Sequence, residues 1–497
     1  MFWYRFKIVA IGLASLMLAL SLLKLHEAER GLKTSRVLVG GTPVIVTEPS
    51  KTNEGIIFLA HGFAGSTSFM RPLAVSLARA GYITVRFDFL GHGRHQLPYF
   101  GDITSTNGAT KIFVNQAEMV VRSYMKTRGR AKGVIIGHSM ASDIIFRTAA
   151  ENRNLVSAIG ISTYSDVITK TDPKNVLIIN GLWEPQLRKK AFEILRSTGI
   201  KAPQEDFVYG SFANETARKI TTIKNADHVG ILYSSRTQRE VLEWVASVFE
   251  EENNFSLNEI GLWVANLLLC LAVLFLIATS YLPRKRAFIF DVEAKRVIIA
   301  NLLAFVLTPL IMYFYTPKIL SFPSHNYLLI HLLIYSFLLG GVLGVYRNRH
   351  LLRNFNIVIF VALFVFFTLV FGTVLDRYVS SFYPTGPRVA LLFIFTIGCV
   401  PIMIVIQTIY EIRNLGVIMA NLSKLMLILS LLPALILNFQ ELFLLFYSIL
   451  LLLAFFMVFG FLSNMLNRIY NNTLSVAVAN GISLSWTFST ALPLYVV

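Results

Sequence analysis

The stretch Val134-Ile135-Ile136-Gly137-His138-Ser139-Met140-Ala141 decides the reading of this 497-residue chain. Three strand-type apolar residues run into G-x-S-x-A, and a helix-compatible stretch follows. A tight strand–turn–helix of this kind lifts a serine hydroxyl above a sheet, where a base can reach it. The flanking positions must be small, because the backbone turns sharply and the helix packs closely on the strand. Gly137 meets that need, and Ala141 stands where glycine is usual. Pentapeptides of this form also arise by chance; here a strand before and a helix after favour Ser139 as a nucleophile.

Upstream, Ile56-Ile57-Phe58-Leu59-Ala60 ends in His61-Gly62-Phe63-Ala64-Gly65. A strand followed by HG-x-x-G suits a loop that supplies one oxyanion-hole donor. The backbone N–H of Phe63 would be one donor and that of Met140 the other. His61 is expected to support the loop by a hydrogen bond. Further strands are expected at Ile83–Phe87, Gly133–Ile136, Ser157–Ile161 and Asn175–Ile179, with a glycine-turn hairpin over Val37–Val46. Amphipathic stretches at Met70–Ala80, Ile112–Lys126 and Gln238–Phe249 separate or follow them. This alternation implies an α/β fold, a mostly parallel sheet with helices on both faces. Asp88, His92 and His95 lie close in sequence, but with no further cluster at ligand spacing a structural role is favoured and no metal site is read.

Residues 34–250, a little under half of the chain, resemble the α/β-hydrolase superfamily, nearest to its compact esterase, serine-peptidase and dienelactone-hydrolase-like members. Asp88-Phe89-Leu90-Gly91-His92-Gly93 is similar to the D-x-x-G-x-G turn after that family's fourth strand. The family places an acid after a later strand in a pattern like h-h-h-x-G-x-x-D. Leu177-Ile178-Ile179-Asn180-Gly181-Leu182-Trp183-Glu184 puts Glu184 there, with Asp166 as the alternative acid. Asn225-Ala226-Asp227-His228-Val229-Gly230 resembles the family's terminal histidine loop, which makes His228 the base. The order Ser139, Glu184, His228 is that of the family. The resemblance implies acyl hydrolysis or transfer without metal or organic cofactor. Only about a dozen residues, Thr163–Lys174, occupy the place where many relatives insert a helical lid, so an open or membrane-capped pocket and a lipid-like or amphiphilic acyl substrate are expected.

The rest of the chain is membrane-like. Hydrophobic residues make up 55%, charged residues 15%, and the mean hydropathy is +0.61. That excludes an ordinary soluble protein of this size. The net charge of +17 does not imply nucleic acid, since no basic run with interleaved aromatics occurs. Much of the excess lies beside apolar runs, as in Pro283-Arg284-Lys285-Arg286 and Arg347-Asn348-Arg349-His350. Cys270 and Cys399 both lie inside apolar runs and are read as neither disulfide partners nor nucleophiles.

The first apolar run, Ile8 to Leu25 behind Arg5 and Lys7, reads as an uncleaved anchor rather than a signal peptide. Eight further runs are expected at about 259–281, 297–316, 326–345, 355–375, 389–410, 415–437, 442–463 and 474–495. The expected organisation is thus an anchor over 1–30, an α/β-hydrolase domain over 31–253 and an all-α transmembrane bundle over 254–497. Loops rich in Lys and Arg fall on one side of an alternating topology. They place the N-terminus in the cytoplasm and the hydrolase domain and C-terminus outside it, with Asn214-Glu215-Thr216 and Asn254-Phe255-Ser256 as exposed glycosylation sequons. Membrane lipids and an acyl-containing substrate are the expected partners; the sequence does not set the oligomeric state. The rival class is a transporter, or a scaffold with an inactive hydrolase-like domain. Lys424 and His331 are the ionisable residues visible in the C-terminal runs, fewer than a coupled carrier would need.

Overall fold

A computed structural model describes residues 2–53, 55–102, 105–129, 132–252, 257–279, 289–349, 351, 355–470 and 472–496. The Asn254 sequon, the Pro283–Arg286 patch and His350 lie outside these residues. Two compact units emerge: Leu16–Leu269 with Asp376–Ser381, and Met1–Ser15 with Cys270–Leu375 and Phe382–Val497.

The first unit is built on eight strands: β1 (Lys33–Val39), β2 (Thr42–Glu48), β3 (Ile56–Ala60), β4 (Ile83–Phe87), β5 (Gly133–His138), β6 (Leu155–Ile161), β7 (Val176–Gly181) and β8 (Arg218–Ile223). Their order across the sheet is β1-β2-β4-β3-β5-β6-β7-β8. β1 and β2 form an antiparallel hairpin, β2 pairs antiparallel with β4, and every later pair is parallel. Strands β3 to β7 are buried residue by residue, as both-face coverage demands, whereas the edge strand β1 is largely exposed. This is the α/β architecture that the resemblance implied.

The helices of this unit are α1 (Phe2–Glu29, of which Leu16 onward belongs here), α2 (Arg71–Arg79), α3 (Lys111–Arg128), α4 (Met140–Glu151), α5 (Pro185–Ser197) and α6 (Ser235–Phe249). One face of the sheet packs Ile57, Leu59, Val134 and Ile136 against Leu73 and Leu77 of α2 and Val241, Leu242 and Val245 of α6. Burying each such side chain contributes roughly 1.5–3 kcal/mol. Pro185 opens α5, where its missing N–H costs nothing, and Gly129, in the left-handed region at φ 61°, ends α3. No helix interrupts residues 162–175, between β6 and β7.

Among the described residues, seven helices are long and apolar enough to cross a membrane: Phe6–Glu29, Ile260–Ala278, Ala294–Phe314, Pro323–Leu343, Ile357–Tyr378, Pro387–Ile409 and Gly416–Leu437. They fall on seven of the nine runs counted from sequence, and the other two runs are also helical. A further apolar helix spans Leu444–Tyr470. Thr473–Ala491 is helical but buries Ser475, Asn480, Ser483, Ser485 and Ser489, so it lacks the hydropathy of a lipid-facing span. Polar groups inside the second unit are engaged by it. His331 Nε2 donates to Ser430 Oγ at 2.8 Å. Arg388, also buried, donates to the carbonyls of Ser489 and Leu492 at 3.1 and 2.8 Å, placing a cation at a helix C-terminus.

Candidate active site

The turn from β5 into α4 is a single residue. Ser139 sits at φ 55°, ψ −120°, a left-handed conformation that a serine holds only when its surroundings enforce it. Its N–H donates to Ile161 O at 2.8 Å and its carbonyl accepts from the Ser142 N–H and hydroxyl at 2.8 and 2.7 Å, so both neighbouring elements hold it. At Gly137 a Cβ would lie 2.5 Å from Ala141 O, which explains the requirement for glycine on the strand side. Ala141 is itself fully buried, and its one methyl group fits.

The Ser139 hydroxyl donates to His228 Nε2 at 2.8 Å, and His228 Nδ1–H donates to Glu184 Oε1 at 2.5 Å. Residues 139, 184 and 228 follow β5, β7 and β8, parallel strands whose C-terminal ends lie on one edge of the sheet. Glu184 is buried, and its second oxygen accepts from the Gly181 N–H at 2.7 Å and the Ser162 hydroxyl at 2.9 Å. Burial pushes this carboxyl up. The hydrogen bonds from His228, Gly181 and Ser162 outweigh it and hold the group below its ordinary value, so it stays charged. Asp166 is elsewhere: it pairs with Lys190 and is 61% exposed. Asp227 Oδ1 accepts from the N–H groups of Val229 and Gly230 and so closes the loop that presents His228.

The loop after β3 abuts the serine. A Cβ on Gly62 would lie 3.0 Å from Ser139 Cβ and 2.9 Å from His138 Nδ1, so this backbone approaches as closely as glycine permits. Phe63 follows at once, and its ring meets His92 edge-on at 5.1 Å. Met140 is the first residue of α4, where backbone N–H groups are free of intrahelical partners. His61 Nδ1–H donates to Gly62 O at 2.8 Å while its Nε2 accepts from the Phe89 N–H at 3.2 Å, which fixes a neutral imidazole; burial pushes its pKa down. Asp88 accepts from Thr67 N and Arg94 N at 2.7 and 3.0 Å, tying the β3 loop to the turn after β4.

Two contributors were not read from the sequence. His138 Nε2 donates to the carbonyl of His228 at 2.7 Å, and burial, with repulsion from His228, pushes its pKa down to about 4. The segment Asp376–Ser381 also belongs to this unit. Asp376 takes both carboxylate bonds from Arg94, at 2.7 and 2.8 Å, and its carbonyl accepts from Ser68 Oγ at 2.7 Å. No signal within residues 31–253 points to it. The rim carries exposed Leu182, Trp183, Val229 and Tyr164, beside the Glu184, His228 and β6 loops.

Residues 51–255 match the family model described as serine aminopeptidase, S33. No curated protein matches the chain. Similar solved structures include the protein TT1662 from Thermus thermophilus (16% identity, 44% of this chain and 99% of that one, TM-score 0.33). Others are a predicted CIB-like hydrolase from Thermoplasma acidophilum (16%, 43% and 97%, 0.33) and dienelactone hydrolase from Anabaena variabilis (15%, 43% and 97%, 0.33).

Proposed function

Starting from an α/β-hydrolase domain over residues 51–255, we propose that this protein is a membrane-anchored serine hydrolase that cleaves an acyl bond of a lipid-like or amphiphilic substrate. The observation that carries the reading is the hydrogen-bonded chain from Ser139 Oγ through His228 to the charged, buried Glu184. His228 Nε2 takes the serine proton as Oγ attacks the acyl carbonyl, and returns it to the leaving group. Glu184 keeps the proton of the resting imidazole on Nδ1 and stabilises the imidazolium. The N–H groups of Phe63 and Met140 receive the developing oxyanion, a contribution of about 3–4 kcal/mol per donor. Water, or an acceptor alcohol or amine, then releases the acyl group. An ester is the simplest substrate; an amide or thioester fits the same chemistry.

Exposed Leu182, Trp183, Val229 and Tyr164 support an apolar acyl chain, as does the lack of a helix over residues 162–175. Arg5 and Lys7 just before the apolar run Ile8–Leu25 favour a cytoplasmic N-terminus, which puts the hydrolase domain on the opposite side and exposes Asn214 there. The test is turnover of p-nitrophenyl esters of increasing chain length by the full chain in detergent. The reading expects kcat/KM to rise with chain length; a preference for acetyl over dodecanoyl would remove the lipid-like substrate.

A further inference from the structure

Away from the serine, a cavity of about 260 Å³ is lined by Arg71, Arg86, Arg377, Glu29, Thr34 and Thr47, all within the first unit. Arg86 is the last residue but one of β4 and is 1% exposed. Its Nη1 donates to Thr67 O at 2.9 Å and its Nη2 reaches Thr47 Oγ1 at 3.5 Å, but its Nε has no hydrogen-bond partner and it forms no ion pair among the described residues. A guanidinium with no carboxylate in direct contact is costly at this depth.

The carboxylate inside the cavity is already engaged. Glu29 accepts from Arg71 Nε and Nη2 at 2.7 and 2.6 Å and from Arg377 Nη2 at 2.6 Å. Three guanidinium groups therefore line the cavity with one carboxylate, Glu29; the buried Asp88 attracts Arg86 from outside the lining, so positive charge still exceeds negative by one. The Thr34 and Thr47 hydroxyls, 3.4 Å apart, add neutral donors. Burial first, and the nearby Arg71 second, push the Arg86 pKa down to about 9, with Glu29 and Asp88 opposing the shift. Glu29 is the last residue of the Phe6–Glu29 span and Arg377 the last but one of Ile357–Tyr378. The ends of such spans lie at the depth of lipid headgroups.

We propose that this cavity is a binding site for a phosphate-class oxyanion, held by Arg86, Arg71 and Arg377 with help from the Thr47 hydroxyl. Guanidinium forks match phosphate oxygens in geometry as well as charge. The ligand is either a phospholipid headgroup or free phosphate. The site is independent of Ser139 chemistry, and Ser139→Ala should bind equally well.

The experiment uses the full chain in phosphatidylcholine nanodiscs, read by thermal unfolding and, in the phosphate arm, by bound radiolabelled phosphate per chain. One arm titrates inorganic phosphate against chloride at matched ionic strength. The other replaces part of the phosphatidylcholine with phosphatidic acid. In wild type, one arm should raise Tm saturably at about one equivalent per chain. A response to free phosphate identifies the soluble ion; a response to phosphatidic acid alone identifies the headgroup. Arg86→Met should lose the response. Arg377→Gln, at a side chain 54% exposed and so tolerant of change, should weaken binding at least fivefold and covers the case in which Arg86→Met does not fold. No shift in either arm for wild type, or an Arg377→Gln that binds as wild type does, overturns the proposal.

Discussion

His138 Nε2 lies 2.7 Å from the carbonyl oxygen of His228, so the residue immediately before the candidate nucleophile holds the loop of the candidate base. The bond joins positions 90 apart in sequence and fixes the imidazole from behind, while Glu184 fixes it through Nδ1. A glutamine amide can donate from nearly the same place as a histidine Nε2, whereas leucine cannot. His138→Leu should therefore lower kcat by about 10²-fold with little change in KM, the cost of roughly an ångström of misplacement. His138→Gln should retain most of the activity. Steady-state kinetics on a p-nitrophenyl ester measures both.

The same buried ring makes stability depend on pH. In the unfolded chain a histidine titrates near 6.5; folded, His138 is pushed down to about 4. Between these values the unfolded state binds the proton and the folded state does not. The protein should thus lose stability as pH falls from about 6.5 to about 4, by about 3 kcal/mol from this residue. Denaturant unfolding should show that slope in wild type and a flatter one in His138→Gln. Equal slopes would mean that the ring is not held neutral by the fold.

Glu184 and Asp166 separate cleanly by substitution. Glu184→Gln preserves shape but lets the wrong imidazole tautomer form, and a change of this kind lowers kcat by about 10⁴-fold in a serine triad. Asp166→Asn breaks only a surface pair with Lys190 and should leave kcat within a factor of two, since such pairs contribute about 0–1 kcal/mol. A large loss in Asp166→Asn with a small one in Glu184→Gln would reverse the assignment of the acid.

Gly137→Ala puts a methyl carbon 2.5 Å from Ala141 O, where backbone must move. Overpacking of this sort costs about 1–3 kcal/mol, and thermal unfolding of the purified full chain should register it. Ala141→Gly at the other flank removes only one buried methyl and should cost less.

Much of the first unit was legible because its signals are local. Gly137, Ser139 and Ala141 sit within five residues, and the β3 to β7 segments are short apolar runs bounded by glycine or polar residues. The sequence favours Glu184 as the acid and keeps Asp166 as the alternative, since each follows a strand and sequence alone does not say which carboxylate turns back towards β8. The structure puts Glu184 against His228 and Asp166 against Lys190. What sequence could not carry is contact between distant positions. His138 reads as filler inside a motif until its ring meets residue 228. Arg86 reads as one polar residue in a strand until its burial is seen. Asp376 lies 282 positions from the Arg94 that binds it. Run length also does not separate a strongly apolar helix from Thr473–Ala491, whose serines and asparagine pack inside protein.

Covalent labelling of Ser139 tests the central claim most directly. The full chain, incubated with a fluorophosphonate probe and digested, should yield a single phosphonylated peptide containing Ser139. His228→Ala should slow labelling by orders of magnitude, and Ser139→Ala should abolish it. Labelling of Ser139→Ala at the wild-type rate, or no adduct on folded wild-type protein, would contradict the account.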